Sequence, residues 1–310
     1  MTILPPDADI LSPIDDHIFK TLLTHPDAKP VLIDVLSASI DRNVTDATVR
    51  NNELPVSDDN EKGERFDVNC IIDNKDQADV EMHGSHIQEI GDAHTGFINK
   101  YIYYLTDLHS SQPSKGKKYH ELSRTYQITF CNYTIYPHRQ DYITRAAMRT
   151  ADGLQITDQI NFILVELSKL HEILTKPVEL LTPLEMWSIF FKFAPDVKRR
   201  NIVNKVIAEK EELRMASTLL MEISLDEHQR AKYRSRRMYE TDKFHNEATA
   251  EERGEIRGKQ LGEALGKALG EKLGRNSMAL EIARNMKRAN KPFAEIIEFT
   301  GLSLSEVEKA

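Results

Sequence analysis

Two short runs, residues 66–72 and 78–84, constrain the fold more than any other part of the chain. In FDVNCIID the apolar residues Phe66, Val68, Cys70 and Ile72 fall on every second position, and in ADVEMHG Ala78, Val80 and Met82 do the same. Strict two-residue alternation is the mark of a strand with one buried face. The intervening DNKDQ is turn chemistry, so the two runs predict a β-hairpin. With residue 67 opposite 81, position 66 meets 82, 68 meets 80 and 70 meets 78, apolar on apolar; a slip by one residue would set that face against the polar one. The polar face then carries Asp67 and Asn69 on one strand and Asp79, Glu81 and His83 on the other.

That polar row is either the solvated side of a half-buried sheet or a site. Asp67 beside Glu81 sets two like charges together, an arrangement that a cation between them relieves. A hard divalent ion such as Mg²⁺ takes oxygen ligands and keeps several waters, so two carboxylates from adjacent strands are a sufficient protein contribution. Such an ion would activate a water and stabilise charge on a phosphodiester.

Other segments surround the hairpin with helices. Helical spacings over 12–40, broken at Pro26 and Pro30, predict two short helices, the first capped by Ser12 ahead of Pro13, with Asp15 and Asp16 at its positive end. Residues 92–109 predict a helix with Ala93, Phe97, Tyr101, Tyr104, Leu105 and Leu108 on one side. YQITFCNYTIY (126–136) predicts a third strand, after which the signals from about residue 145 are mostly helical. Thr182-Pro183-Leu184-Glu185 is a capping box that opens one of these helices, and the basic run KYRSRRMYE reads as a solvated helix face. The result is an α/β core over 1–145 and a helical region over 146–250, either separate or completing the core.

Further on, glycine recurs every four residues from Gly254 to Gly274, and Leu261, Leu265, Leu269 and Leu273 keep the same period. Each glycine costs a helix about 1 kcal/mol relative to alanine, so residues 251–275 are either a charged linker or a helix whose stripe meets a partner in a homo-oligomer. The interleaved Lys and Glu exclude a membrane dimer motif. Residues 276–310 predict a small helical hairpin, with Gly301 as a stop and Ser303 and Glu306 as a capping box.

A net charge of −8 argues against a global positive field, so any nucleic-acid contact must be local. No apolar run approaches the roughly 20 residues that cross a bilayer, and the first residues lack a secretory pattern, which predicts a cytoplasmic protein with no membrane partner. Cys70 and Cys131 lie in alternating apolar segments without ligand spacing and read as buried thiols. No G-x-S-x-G elbow, P-loop or dinucleotide fingerprint is present.

From SPIDDHIFK to about Tyr136 the sequence resembles the recombination-promoting nuclease (Rpn) family, also described as PD-(D/E)XK nuclease family transposases. Ser12, Pro13, Asp15 or Asp16, Phe19 and Lys20 match its opening SP-x-D-x-x-FK, and VLIDVLSASI matches its leucine-rich next helix. Asp67 matches its strand aspartate, and Glu81-Met82-His83 its E-x-Q strand. Lys100, Tyr103 and Tyr104 match R-x-x-Y-Y, and Gly116, Tyr119 and Leu122 match G-x-x-Y-x-x-L; the glycine repeat and the ending TGLSLSEVEK are also typical.

The resemblance implies a PD-(D/E)XK restriction-endonuclease-like α/β core, a central mixed sheet flanked by helices, with a helical C-terminal extension. It implies cleavage of DNA with Mg²⁺, or Mn²⁺, in recombination or mobile-element biology. By carry-over Asp67 and Glu81 bind the metal, and His83 stands where the family places the glutamine that orients the attacking water. Asp16, Lys20, Lys100 and Tyr104 support them. His83 in place of glutamine and Lys100 in place of arginine also allow a second reading, a nuclease fold that binds DNA or protein as an oligomer without cutting.

Overall fold

The computed structural model describes residues 4–50, 67–84, 93–112 and 118–310; Phe66, Asp92 and Gly116 lie outside the described residues. Six strands form one mixed sheet: β1 (Ala47–Val49), β2 (Val68–Ile72), β3 (Asp76–His83), β4 (Thr125–Cys131), β5 (Ile143–Ala147) and β6 (Ile160–Glu166). Their order is β1-β2-β3-β4-β6-β5, with β3, β4 and β6 parallel and the remaining neighbours antiparallel. The β2–β3 hairpin has the register its apolar residues require, Val68 opposite Val80 and Cys70 opposite Ala78. Its turn is shorter than expected. Asp73 and Asn74 both take positive φ (50° and 55°), a conformation these two residue types tolerate, and Asp76 and Gln77 already belong to β3.

Two other expectations are corrected. The strand predicted over 126–136 ends at Cys131: Asn132 N–H still donates to His83 O (3.0 Å), but the N–H groups of Ile135 and Tyr136 turn away to buried Glu166 (2.6 and 3.0 Å). Tyr133 and Ile135 continue the alternation only as coil side chains packed beside Cys131. The region after residue 145 is not purely helical either. INFILVE forms β6, a strand flanked on both sides by others in the sheet, so part of the region after residue 145 lies in the same sheet as the core, in line with the alternative in which it completes the core.

The helices are α1 (Asp16–Leu23), α2 (Lys29–Ile40), α3 (Ala93–Ser110), α4 (Pro183–Phe193), α5 (Arg200–Glu209), α6 (Glu211–Leu225), α7 (Glu227–Arg288), α8 (Phe293–Thr300) and α9 (Leu304–Lys309). One compact unit extends to Ser235 and a second covers Arg236–Ala310. In the first, one face of the sheet (Val68, Cys70, Val80, Met82, Ile128, Phe130, Val165) packs with α1, α2 and α4–α6 into the main core. Trp187 is fully buried there, stacks on Phe191 and donates its indole N–H to Asp34 (2.7 Å). Burying a polar indole requires such a partner. Thr182 and Glu185 form the expected capping box of α4. Helix α1 is capped by Asp15, whose Oδ1 accepts the N–H of His17 and Ile18, and not by Ser12; Ser12 only accepts the N–H of Asp15 in the preceding turn.

The segment ahead of α1 is fastened to helices far along the chain. Leu4 exchanges two backbone hydrogen bonds with the Asn204 amide (3.0 and 2.9 Å), Ala8 O accepts from Arg200, and Leu11 N–H donates to Ser224 Oγ (3.0 Å). Helix α3, the crossover between parallel β3 and β4, covers the opposite face of the sheet with Phe97, Tyr101 and Leu105. In the second unit α8 and α9 close a small core with the end of α7 (Ala283, Ile296, Leu302, Val307), and Gly301 at φ 68° makes the left-handed stop. Cys70 and Cys131 are both buried free thiols. No helix among the described residues is long and apolar enough to cross a membrane.

Candidate metal centre

The polar face of the hairpin is not solvated. Asn69, Asp79 and Glu81 are all buried, and so are Gln127 and Thr129 on the neighbouring β4. Burial of so many polar groups on one sheet face is costly unless they are paired or serve a ligand, which separates the two readings of this row.

Asp67 and Glu81 are clasped together where the β2–β3 ladder ends. The Asp67 N–H donates to Glu81 Oε1 (3.0 Å), and the Met82 N–H donates to Asp67 Oδ2 (3.1 Å). Each carboxylate is therefore aimed by the other strand's residue. A carboxylate has about four lone-pair directions, so one such bond leaves acceptor capacity on each. Burial, and then the charge of Glu81, push the Asp67 carboxyl up to about 8, against the pull of the Met82 N–H. Glu81 is raised as well, by burial first, with the Lys100 ammonium opposing the shift.

Beneath them Asp79 is fully buried, and burial followed by the charge of Glu81 holds its carboxyl well above the ordinary range. It accepts a hydrogen bond from Gln127 Nε2 (2.9 Å), its partner across the parallel β3–β4 pair. Asp79 also shares a side-chain hydrogen bond with Glu81, and the buried hydroxyls of Thr129 and Tyr101 have no hydrogen-bond partner among the described residues, so the floor of the site retains polar capacity.

Helices α1 and α3 bring the remaining groups. Gly84, just beyond β3, lies so close to Ile14 that a Cβ there would sit 2.3 Å from the Ile14 carbonyl oxygen. This close approach seats the start of α1 against the end of β3, and only glycine permits it. Asp16 consequently acts on both carboxyls, raising Asp67 and Glu81, while Lys20 one turn later lowers Asp67. On α3 the Lys100 ammonium lies over the rings of Tyr101 (4.9 Å) and Tyr104 (5.2 Å) and acts electrostatically on Glu81. His83 faces the same side, but its Nδ1 pairs with the Tyr133 hydroxyl (3.0 Å), and its ring sits edge-on to Phe97 and Tyr133.

The sequence of PD-(D/E)XK nuclease family transposases, taken as a family model, matches residues 13–250. The chain belongs to that family. No curated protein and no solved structure matches it significantly. The mixed sheet and flanking helices are the PD-(D/E)XK core that the resemblance implied, and membership supports a nuclease- or transposase-related role. PD-(D/E)XK nucleases generally use divalent metals.

Of the residues the sequence singled out in this PD-(D/E)XK chain, the structure brings Asp67 and Glu81 into direct contact, with Asp16, Lys20 and Lys100 in electrostatic reach. Tyr104 is one ring away, through Lys100. Among the described residues no three His, Cys, Asp or Glu side chains gather into a ready-made cage, and His83 is held by aromatic neighbours. The donor set nevertheless fits a hard cation. It is all oxygen, it is buried at Glu81 and half-buried at Asp67, and its members repel one another, which is the condition a divalent ion relieves. Sequence reasoning had given no role to Gln127 or Asp79. Their signal was a polar residue inside YQITF and an aspartate two positions before Glu81 on the same face.

Proposed function

We propose that this chain is a Mg²⁺-dependent DNA endonuclease, with Mn²⁺ as a substitute ion, acting in recombination or on mobile elements. The observation that carries the reading is the reciprocal clasp of Asp67 and Glu81, a half-buried and a buried carboxyl held side by side at the cost of their mutual repulsion. Asp67 and Glu81 would hold the ion, with waters completing its shell as Mg²⁺ commonly requires. A divalent ion bound there supplies Lewis-acid polarisation of a phosphoryl oxygen and makes a water more acidic.

The chain's own residues do the rest. The two backbone N–H groups fix the carboxylates, so they need no reorganisation when substrate arrives. Lys20 and Lys100 add positive potential beside an otherwise acidic site, where a phosphodiester must approach. Tyr101 and Tyr104 hold the Lys100 head in place, and Asp16 adds negative charge on the metal side. His83 takes the water-orienting position, with Tyr133 fixing its ring.

Cleavage of plasmid DNA with Mg²⁺ or Mn²⁺ by the wild type, lost in Asp67→Ala and Glu81→Ala, is the expected result. Equal nicking by all three proteins would sink the assignment. The competing reading, a nuclease fold that holds DNA without cutting it, draws on His83, whose Nδ1 is taken up by Tyr133; it predicts DNA binding by the wild type with no cleavage under either ion. In both readings α7 serves as an oligomerisation helix, and the protein works in the cytoplasm.

A further inference from the structure

The second half of α7 carries leucines on its surface without a covering element in its own unit. Leu261, Leu265, Leu269 and Leu273 are 56, 67, 59 and 61 % exposed. A Cβ built on any glycine from Gly254 to Gly274 would meet nothing within 4 Å, so the fold of this unit does not by itself call for small residues there. Yet the segment is helical throughout, despite a cost of about 1 kcal/mol for each glycine.

The charges beside this stripe follow a stricter rule. The residue after each glycine is Glu255, Lys259, Glu263, Lys267, Glu271 and Arg275, alternating in sign without exception. At about 100° per residue, the glycine column has the leucine column on one flank and this charged column on the other. Two copies facing each other across their glycines therefore have two options. In a parallel pair the leucine flank of one helix meets the charged flank of its partner, which buries charge against hydrocarbon. In an antiparallel pair leucine meets leucine and charge meets charge. The alternating column is also its own complement when reversed about residue 265: position 263 then faces 267, 259 faces 271 and 255 faces 275, every pair acidic against basic.

We propose that α7 pairs antiparallel with α7 of a second copy of the chain, crossing near Leu265. The proposal rests on the reading of α7 as an oligomerisation helix and adds its orientation and register. A period of four advances about 40° per step around a helix of 3.6 residues per turn, so the contact face winds and the helices cross right-handedly over a few turns. Leu261 meets Leu269 of the second copy, Leu265 meets its own equivalent, and the inner pairs Glu263 with Lys267 and Lys259 with Glu271 flank them.

The test uses the full-length protein. Light scattering gives the mass, and cysteine variants give the orientation, since the native thiols are buried. A dimer of the 35.5 kDa chain is expected. Leu265→Cys cross-links to itself, Leu273→Cys does not, and a mixture of Leu261→Cys and Leu269→Cys links across. Glu263→Lys weakens the dimer about tenfold, because it is lost twice in a symmetric pair, and Glu263→Lys combined with Lys267→Glu restores it. A monomeric wild type at tens of micromolar overturns both the pairing and the oligomerisation reading. A dimer in which Leu273→Cys self-links as fast as Leu265→Cys overturns the antiparallel arrangement and leaves the oligomerisation reading standing.

Discussion

Replacing Asp67 with asparagine should stabilise the metal-free protein at neutral pH. The Asp67 carboxyl titrates near 8 in the folded chain against an ordinary value of 3.8. The native state therefore keeps a proton that the unfolded chain loses above about pH 4. The stability this proton contributes is complete below that pH and is lost as pH rises through about 8, at up to about 1.4 kcal/mol per unit. At pH 7 the accumulated cost is at most about 4 kcal/mol, and water reaching the part-exposed Asp67 brings the expected gain for Asp67→Asn to about 1–3 kcal/mol. Asparagine keeps an oxygen to accept the Met82 N–H, so the clasp survives the change.

Urea unfolding followed by the fluorescence of Trp187, the single and fully buried tryptophan, is the assay. In a chelator the wild type should lose stability steadily from pH 5 to 8, and Asp67→Asn should show a shallower slope. Added Mg²⁺ at 100 times its dissociation constant should raise the wild type by about 2.7 kcal/mol and leave the variant nearly unchanged, reversing their order. A variant no more stable than wild type at pH 7.5 without metal, with the same pH slope, would refute the account of two desolvated carboxyls in conflict.

Three further changes test the supports of the site. Gly84→Ala forces a Cβ onto the Ile14 carbonyl and should cost about 1–3 kcal/mol in urea unfolding, with loss of cleavage as α1 is displaced. Glu166→Gln leaves the buried Lys169 ammonium without the carboxylate that balances its charge, with only neutral acceptors such as the Tyr136 carbonyl beside it, and should cost about 3–5 kcal/mol, the largest effect of the set. Lys100→Met removes the charge that lowers Glu81, so the pH midpoint of Mg²⁺ binding, followed by calorimetry, should move upward.

The hairpin and its register were legible because alternation is a local signal, and one buried face forbids a slip by one residue. Strand β6 was not, because INFILVE is apolar nearly throughout and a strand covered on both faces has no alternation to read. The end of β4 was missed for the converse reason: Tyr133 and Ile135 keep the strand period while their backbone leaves the sheet for Glu166. At the site, the pairing of Asp67 with Glu81 followed from the hairpin alone. Gln127 beneath Asp79 depends on the register of a parallel pair joined through α3, which no short-range pattern encodes. Burial of the polar face was equally out of reach, since nothing in ADVEMHG says that α3 will lie over it.

The tie between Leu4, Ala8 and Leu11 and residues 200–224 has a bearing on the order of synthesis. Asp16, Lys20, Asp67, Glu81 and Lys100 all leave the ribosome within the first third of the chain. The anchors that seat α1, and the strand β6 that completes the sheet beside β4, come much later. A nascent or truncated chain thus carries every candidate catalytic side chain without the frame that aligns them. If the proposed function holds, a fragment ending before Ser224 is expected not to cut DNA, however complete its acidic residues, because it lacks the anchors that Ser224, Gln229 and Arg230 give to Leu11, His17 and Asp9.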